Sequence, residues 1–163
     1  MSGASGLHRL DRWMYGGGRP NRVARLLNRI AAIQYAAGLA PGYCMTLDVR
    51  GRRTGRRVSF PVVVAEHGGE RYLVSMLGER ANWVRNVRAA DGRAELRHRS
   101  RTEVRLVEVD PADRAPVLRA YLRRAPGAQA HVPVDRHARL EEFEGIAHRF
   151  PVFRITQPPA GPA

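Results

Sequence analysis

YCMTLDVRGRRTGRRVSFPVVVAE, residues 43–66, decides how this chain folds. Tyr43, Met45, Leu47 and Val49 alternate with Cys44, Thr46, Asp48 and Arg50, the period-2 pattern of a half-buried strand. A second strand runs from Val58 to Glu66, apolar on both faces at VVVA, and its Pro61 implies an edge or a bulge because proline cannot donate to a ladder. Between them lies Arg50–Arg57, RGRRTGRR, with five arginines beside Gly51 and Gly55. Glycines can take positive φ and leave backbone N–H groups bare, and guanidinium forks bond phosphate or carboxylate oxygens, often bidentately. The loop therefore reads as a preformed anion site. On these eight residues alone, a solvated hairpin tip is the competing reading.

Upstream, residues 1–18 form a loose arm closed by Gly16-Gly17-Gly18. Pro20 suits a first helical position, and Val23, Leu26, Leu27, Ile30 and Ile33 recur at helical spacing until Gly38 and Pro41. Arg22, Arg25 and Arg29 line another face of this helix, which can either pack on its own domain or lie on an anionic membrane. Downstream, His67-Gly68-Gly69 turns the chain into a third strand, Arg71 to Met76. Asn82 can cap a short helix whose Trp83, Asn86 and Val87 share one side, ended by Asp91-Gly92. Two strands, 93–98 and 101–109, make a hairpin. A helix starting near Asp113 carries Val117, Leu118, Tyr121 and Leu122, with Pro116 in its first turn. After a long loop, 125–139, come a helix at 140–148 and a last strand at 151–155. The pattern predicts one domain over 19–155, a small antiparallel barrel of about six strands with helices outside, and a disordered tail at 156–163.

Composition narrows the chemistry. The 163 residues carry 28 basic side chains against 15 acidic ones, and every basic one is arginine. Schiff-base, phosphate-loop and general-base lysines are therefore excluded. Residues 1–57 hold eleven arginines against Asp11 and Asp48, so +9 of the net +13 sits in the first third and calls for an anionic partner. Cys44 is the single cysteine, which rules out an intrachain disulfide and Cys-rich metal sites and fits a reducing cytoplasm. No apolar stretch is long enough to span a bilayer.

Gly51-Arg52-Arg53-Thr54-Gly55 after a first strand, then the Pro61 strand, Tyr72-Leu73-Val74, Trp83-x-x-Asn86 with Arg88-Ala89, and a closing Pro151-Val-Phe-Arg-Ile strand form an ordered set. That set resembles the deazaflavin-dependent nitroreductase family, split-barrel oxidoreductases of flavin type that use coenzyme F420, and the resemblance covers residues 20–155. It implies a split β-barrel and an enzyme moving a hydride from reduced F420 to a hydrophobic, electron-poor acceptor: a quinone, nitro compound or enone. It also implies that Arg52, Arg53, Thr54, Gly55, Arg56 and Arg57 bind the cofactor's phosphate and oligoglutamate tail. Trp83 and Asn86 border its deazaflavin, and Ser75, Met76, Leu77 and Gly78 touch it through backbone N–H groups. Read without the resemblance, Trp83 and Asn86 are equally a buried indole and a capping amide. Two departures stand out: Val58 occupies a place where such proteins usually carry arginine, and Met76-Leu77-Gly78 one where they often have a lysine with paired glycines.

Tyr121 and His131 are candidates for polarising the acceptor or delivering a proton, with packing and surface as the plain alternatives. His131, Asp135 and His137 lack a further strong ligand, so no metal is expected. The partners expected are a small hydrophobic substrate and, through the N-terminal helix, an anionic membrane; the protein is a monomer or homodimer. Nucleic acid is disfavoured because aromatics are not interleaved with arginines along one strand. The competing assignments are a split barrel holding FMN or haem, and a non-enzymatic basic module on anionic lipid or nucleic acid.

Overall fold

The computed structural model describes residues 40–160, so the expected N-terminal arm, the Pro20–Gly38 helix and its membrane contact lie outside the described residues. Six strands close into an antiparallel barrel: β1 (Cys44–Arg50), β2 (Arg57–His67), β3 (Glu70–Val74), β4 (Arg93–His98), β5 (Ser100–Glu108) and β6 (Val152–Thr156). Around the barrel the order is β1-β2-β3-β6-β5-β4, with β4 pairing back onto β1. Among the described residues three helices accompany it: α1 (Asn82–Ala89), α2 (Ala115–Arg124) and the short α3 (Leu140–Glu144).

Alternation along each strand sorts side chains into two cores. Leu47, Val49, Val62, Val64, Leu73, Leu96, Val104, Leu106 and Phe153 fill the barrel, joined by Val84 and Val87 of α1. Their neighbours in sequence, Ala65, Tyr72, Val74 and Val152, face outward and pack under α2 and α3 against Leu118, Leu122 and Phe143. Six strands enclose a space that side chains fill, so the barrel itself is a packed core.

Several expectations change in detail. β1 is buried on both faces, not one: Thr46 and Asp48 are as enclosed as Leu47. Asp48 is covered because Ser59 of β2 and Arg97 of β4 donate to its carboxylate from the strands on either side. Pro61 sits where β2 is paired on one side alone, since residues 57–63 pair with β1 and the pairing to β3 begins at Val64. That one-sided stretch tolerates the missing donor inside a closed barrel. Asn82 is the first residue of α1 rather than its cap, and the cap position, Ala81, makes no side-chain bond. α2 starts at Ala115 with Pro116 in its first turn, and Asp110 caps the preceding 3-10 turn by accepting from Ala112 N–H. The long loop contains a 3-10 stretch, Pro126–His131, and Gln129 stitches it by donating to the Val132 and Val134 carbonyls and accepting from Arg136 N–H. The expected 140–148 helix stops at Glu144. Thr156 belongs to β6, where its hydroxyl donates to the Arg105 carbonyl, and not to the tail.

Candidate active site

The turn between β1 and β2 closes on itself. Gly51 N–H donates to the Arg56 carbonyl at 2.7 Å, Gly55 N–H to the Gly51 carbonyl at 2.8 Å, and Arg56 N–H to Thr54 Oγ1 at 3.3 Å. The expected bare glycine N–H groups are thus a misreading, because a tight hairpin satisfies its own donors first. Only Gly55 has positive φ, at 69°. Gly51 is required by space: a Cβ there would lie 3.2 Å from the Arg56 carbonyl oxygen and from Val58 Cγ2. With the N–H groups of Gly51, Arg52, Gly55 and Arg56 engaged, what this loop offers an anion is mainly its side chains.

Its four other arginines beyond Arg50 divide by partner. Arg52 turns toward α1, where Asn86 Oδ1 accepts from its guanidinium at 2.9 Å and its backbone N–H at 3.3 Å. Arg57 pairs with Glu95 of β4 at 3.0 Å. Arg53 and Arg56 are exposed and have no acidic partner among the described residues. Among the described residues, therefore, these two charged forks have no acidic partner.

Asn86 ties this loop to the helix carrying Trp83, so the two segments singled out from the sequence meet in space. Asn86 is buried, and its carbonyl oxygen holds Arg52. It acts on the loop rather than presenting that oxygen to a ligand. Trp83, one helical turn earlier on the same side, is half-buried, and its ring lies 5.5 Å from Phe153 in a tilted contact. The turn after β3, the other segment expected at the cofactor, is closed by its own bonds. Ser75 N–H donates to the Pro151 carbonyl and its hydroxyl to the Gly78 carbonyl, while Gly78 N–H returns to the Ser75 carbonyl. Ser75 and Gly78 therefore cannot offer their N–H groups as expected, whereas those of Met76 and Leu77 make no backbone bond among the described residues.

A cleft of ≈350 Å³ borders the first loop at Gly55 and Arg57, with Arg50, Arg93, Glu95 and Glu103 around it. Trp83, Asn86 and the 75–78 turn do not line it. Its carboxylates make it a poor seat for a polyanion, and Arg57, held by Glu95, belongs to this side. Tyr121 is also placed apart: it is 5% exposed in the outer core beneath α2, whereas Trp83 packs on the barrel core. His131 is half-buried at the end of its 3-10 stretch. Asp135 accepts from His137 N–H in a local turn.

Reading by sequence missed a network beside the 75–78 turn. Arg88 of α1 grips Glu79 and Glu108, with bonds of 2.5 Å to each, and Glu108 also accepts from Arg114. Arg114 is buried, donating to the carbonyls of Val109, His148 and Phe150. The Glu79 carboxyl is held below the usual carboxylate range by the Arg88 hydrogen bonds, which outweigh the opposing effect of burial. Arg88 stood in the ordered motif set without a role, and nothing in the local pattern marks Glu79, Glu108 or Arg114 as its partners, since they come from separate segments.

The residues present fit an anion that carries an aromatic ring: Arg53 and Arg56 have no acidic partner among the described residues, and the half-buried indole of Trp83 sits on the helix that Arg52 bonds. Among solved structures, the chain resembles a protein of unknown function from Agrobacterium tumefaciens (TM-score 0.53, 11% identity, 85% of this chain and 56% of that one). It also resembles a conserved hypothetical protein from Mycobacterium tuberculosis (TM-score 0.52, 16% identity, 74% and 76%). An F420H2-dependent reductase aligns with TM-score 0.46 and 16% identity over 69% of this chain and 93% of its own. No curated protein matches the sequence. Among the described residues no helix is long and apolar enough to cross a membrane. Residues 26–137 match the family model of F420H(2)-dependent quinone reductases, and with most of the chain covered, this split-barrel protein is a member of that oxidoreductase family, whose cofactor is reduced F420.

Proposed function

We propose that the protein passes a hydride from reduced F420 to a quinone, with nitro compounds and hydrophobic enones as further acceptors. The observation that carries this reading is the Asn86–Arg52 bond, which gathers the arginine loop and the Trp83 helix into one site within a chain of this family. The chemistry supplied by the bound cofactor is hydride transfer from C5 of its deazaflavin. The protein's part is to bind and orient. Arg53 and Arg56 hold the phosphate and glutamate carboxylates, each charged hydrogen bond contributing roughly 1.5–3 kcal/mol. Arg52 and Thr54 keep the loop in shape, and Gly55 permits its turn. The Met76 and Leu77 N–H groups would bond the cofactor, and Trp83, packed on Phe153, would give its ring a fixed apolar edge. Tyr121 is given no part in proton delivery, because its phenol lies in the outer core. His131 stays a candidate donor to the acceptor, tested by His131→Gln, which should lower kcat without changing F420 affinity if it acts so.

Fluorescence polarisation of F420 titrated with the protein tests the reading directly. Arg53→Ala/Arg56→Ala should weaken binding by roughly 100-fold or more while the melting temperature stays put. A wild-type protein that does not bind F420, or a double variant that binds as well as wild type, would overturn it. Anaerobic mixing of the loaded protein with a soluble menaquinone analogue and with a nitroimidazole then ranks the acceptors.

A further inference from the structure

Both segments expected at the cofactor are bonded to one helix. Asn86 and Arg88 are two residues apart on α1, about 200° around its axis, so their side chains leave toward different partners. Asn86 holds the first loop through Arg52. Arg88 holds the second through Glu79, whose carboxylate accepts from Arg88 Nη1 at 2.5 Å and Nη2 at 3.2 Å. On its other edge the same guanidinium meets Glu108, with Nε to Oε2 at 3.0 Å and Nη2 to Oε1 at 2.5 Å. Glu108 in turn is tied to Arg114, which is 4% exposed and anchored on three main-chain carbonyls. The chain of contacts thus has a fixed end in the core and a free end in the 78–80 turn.

We propose that Arg88 is a positioning residue: by clamping Glu79 against Glu108 it presets the Ser75–Arg80 turn, and with it the Met76 and Leu77 N–H groups, for an anionic cofactor. The inference rests on the assignment of that turn to the cofactor site. Three features point to presetting rather than to support of the fold. Glu79 is more than half exposed, so its ion pair adds little to global stability. The turn carries Gly78 at φ 70°, with the Arg149 carbonyl 3.1 Å from where a Cβ would be, so its path is narrowly defined. Its other bonds, the Ser75–Gly78 pair, Ser75 N–H to the Pro151 carbonyl and Ala81 N–H to the Gly78 carbonyl, close the turn around Met76 and Leu77, but none sets it against β5. Without Arg88 the turn stays closed but loses its tie through Glu79 to Glu108 of β5, and the cofactor must fix its placement on binding.

The test uses the full chain and three variants. Glu79→Gln removes the charge at nearly constant shape, Arg88→Met removes the clamp, and Arg53→Ala/Arg56→Ala removes two guanidinium groups of the first loop. F420 affinity by fluorescence polarisation should fall about tenfold in the first two. Amide exchange at 76–80 in the protein without cofactor should rise, while the melting temperature of Glu79→Gln stays within a degree or two of wild type. Unchanged affinity and exchange in Glu79→Gln and Arg88→Met, with binding lost in the double arginine variant, would overturn the positioning role and leave the site assignment standing. Loss of melting temperature in step with affinity in Glu79→Gln would make Arg88 a structural residue and also overturn it. Binding unchanged in all three variants would instead remove the site assignment itself.

Discussion

In the loop after β1, Arg53 and Arg56 stand in solvent with no acidic partner among the described residues. At the foot of α2, Arg114 is enclosed and bonded to three carbonyls and a carboxylate. The two regions contain the same side chain and opposite physics. An exposed, unpaired guanidinium keeps its hydrogen-bonding capacity for a ligand and adds little to folding. An enclosed one has exchanged water for fixed acceptors, so removing it strands them. The net charge of +13 therefore says less about ligand binding than it first suggests. Arg52, Arg57, Arg88, Arg97, Arg105 and Arg154 are all engaged inside the protein.

The contrast breaks most sharply at Arg114. Arg114→Ala should cost about 3 kcal/mol of unfolding free energy, read from urea melts, whereas Arg53→Ala/Arg56→Ala should change it by less than about 0.5 kcal/mol. A freely tolerated Arg114→Ala would erase the distinction. Asp48 gives an intermediate case, since Arg97 and Ser59 both donate to its buried carboxylate. Asp48→Ala should lose about 2 kcal/mol, with F420 affinity retained in the folded fraction.

The smallest effect is at Glu79, whose folded pKa is lowered by hydrogen bonds from Arg88. A lowered carboxyl stabilises the fold fully above the pKa of the unfolded chain and ceases to do so as pH falls through the folded value. Wild type should thus exceed Glu79→Gln by about 0.5 kcal/mol at neutral pH, and the two should converge in acid. A gap that widened on acidification would contradict the ion pair.

Much of the architecture was legible because it follows from short-range pattern. The period-2 runs, the His67-Gly68-Gly69 turn and the apolar stripe of α2 each point to one local structure, and six such pieces leave few ways to cover every apolar face. The loop 50–57 and the Trp83–Asn86 pair were visible as motifs. Their roles within the site were less so. Hydrogen bonding inside the hairpin reversed the expectation for Gly51 and Gly55, and the engagement of Ser75 and Gly78 halved the donors expected from the second turn.

From the sequence alone came the strands, the arginine loop and its anionic preference, since periodicity and side-chain chemistry are properties of neighbouring residues. Which arginines keep free forks, and that Asn86 and Arg88 reach in opposite directions from one helix, was decided only by tertiary structure. Pairing depends on distances between residues far apart in the chain, such as the 34 positions from Arg52 to Asn86, and those distances exist only once the barrel has closed.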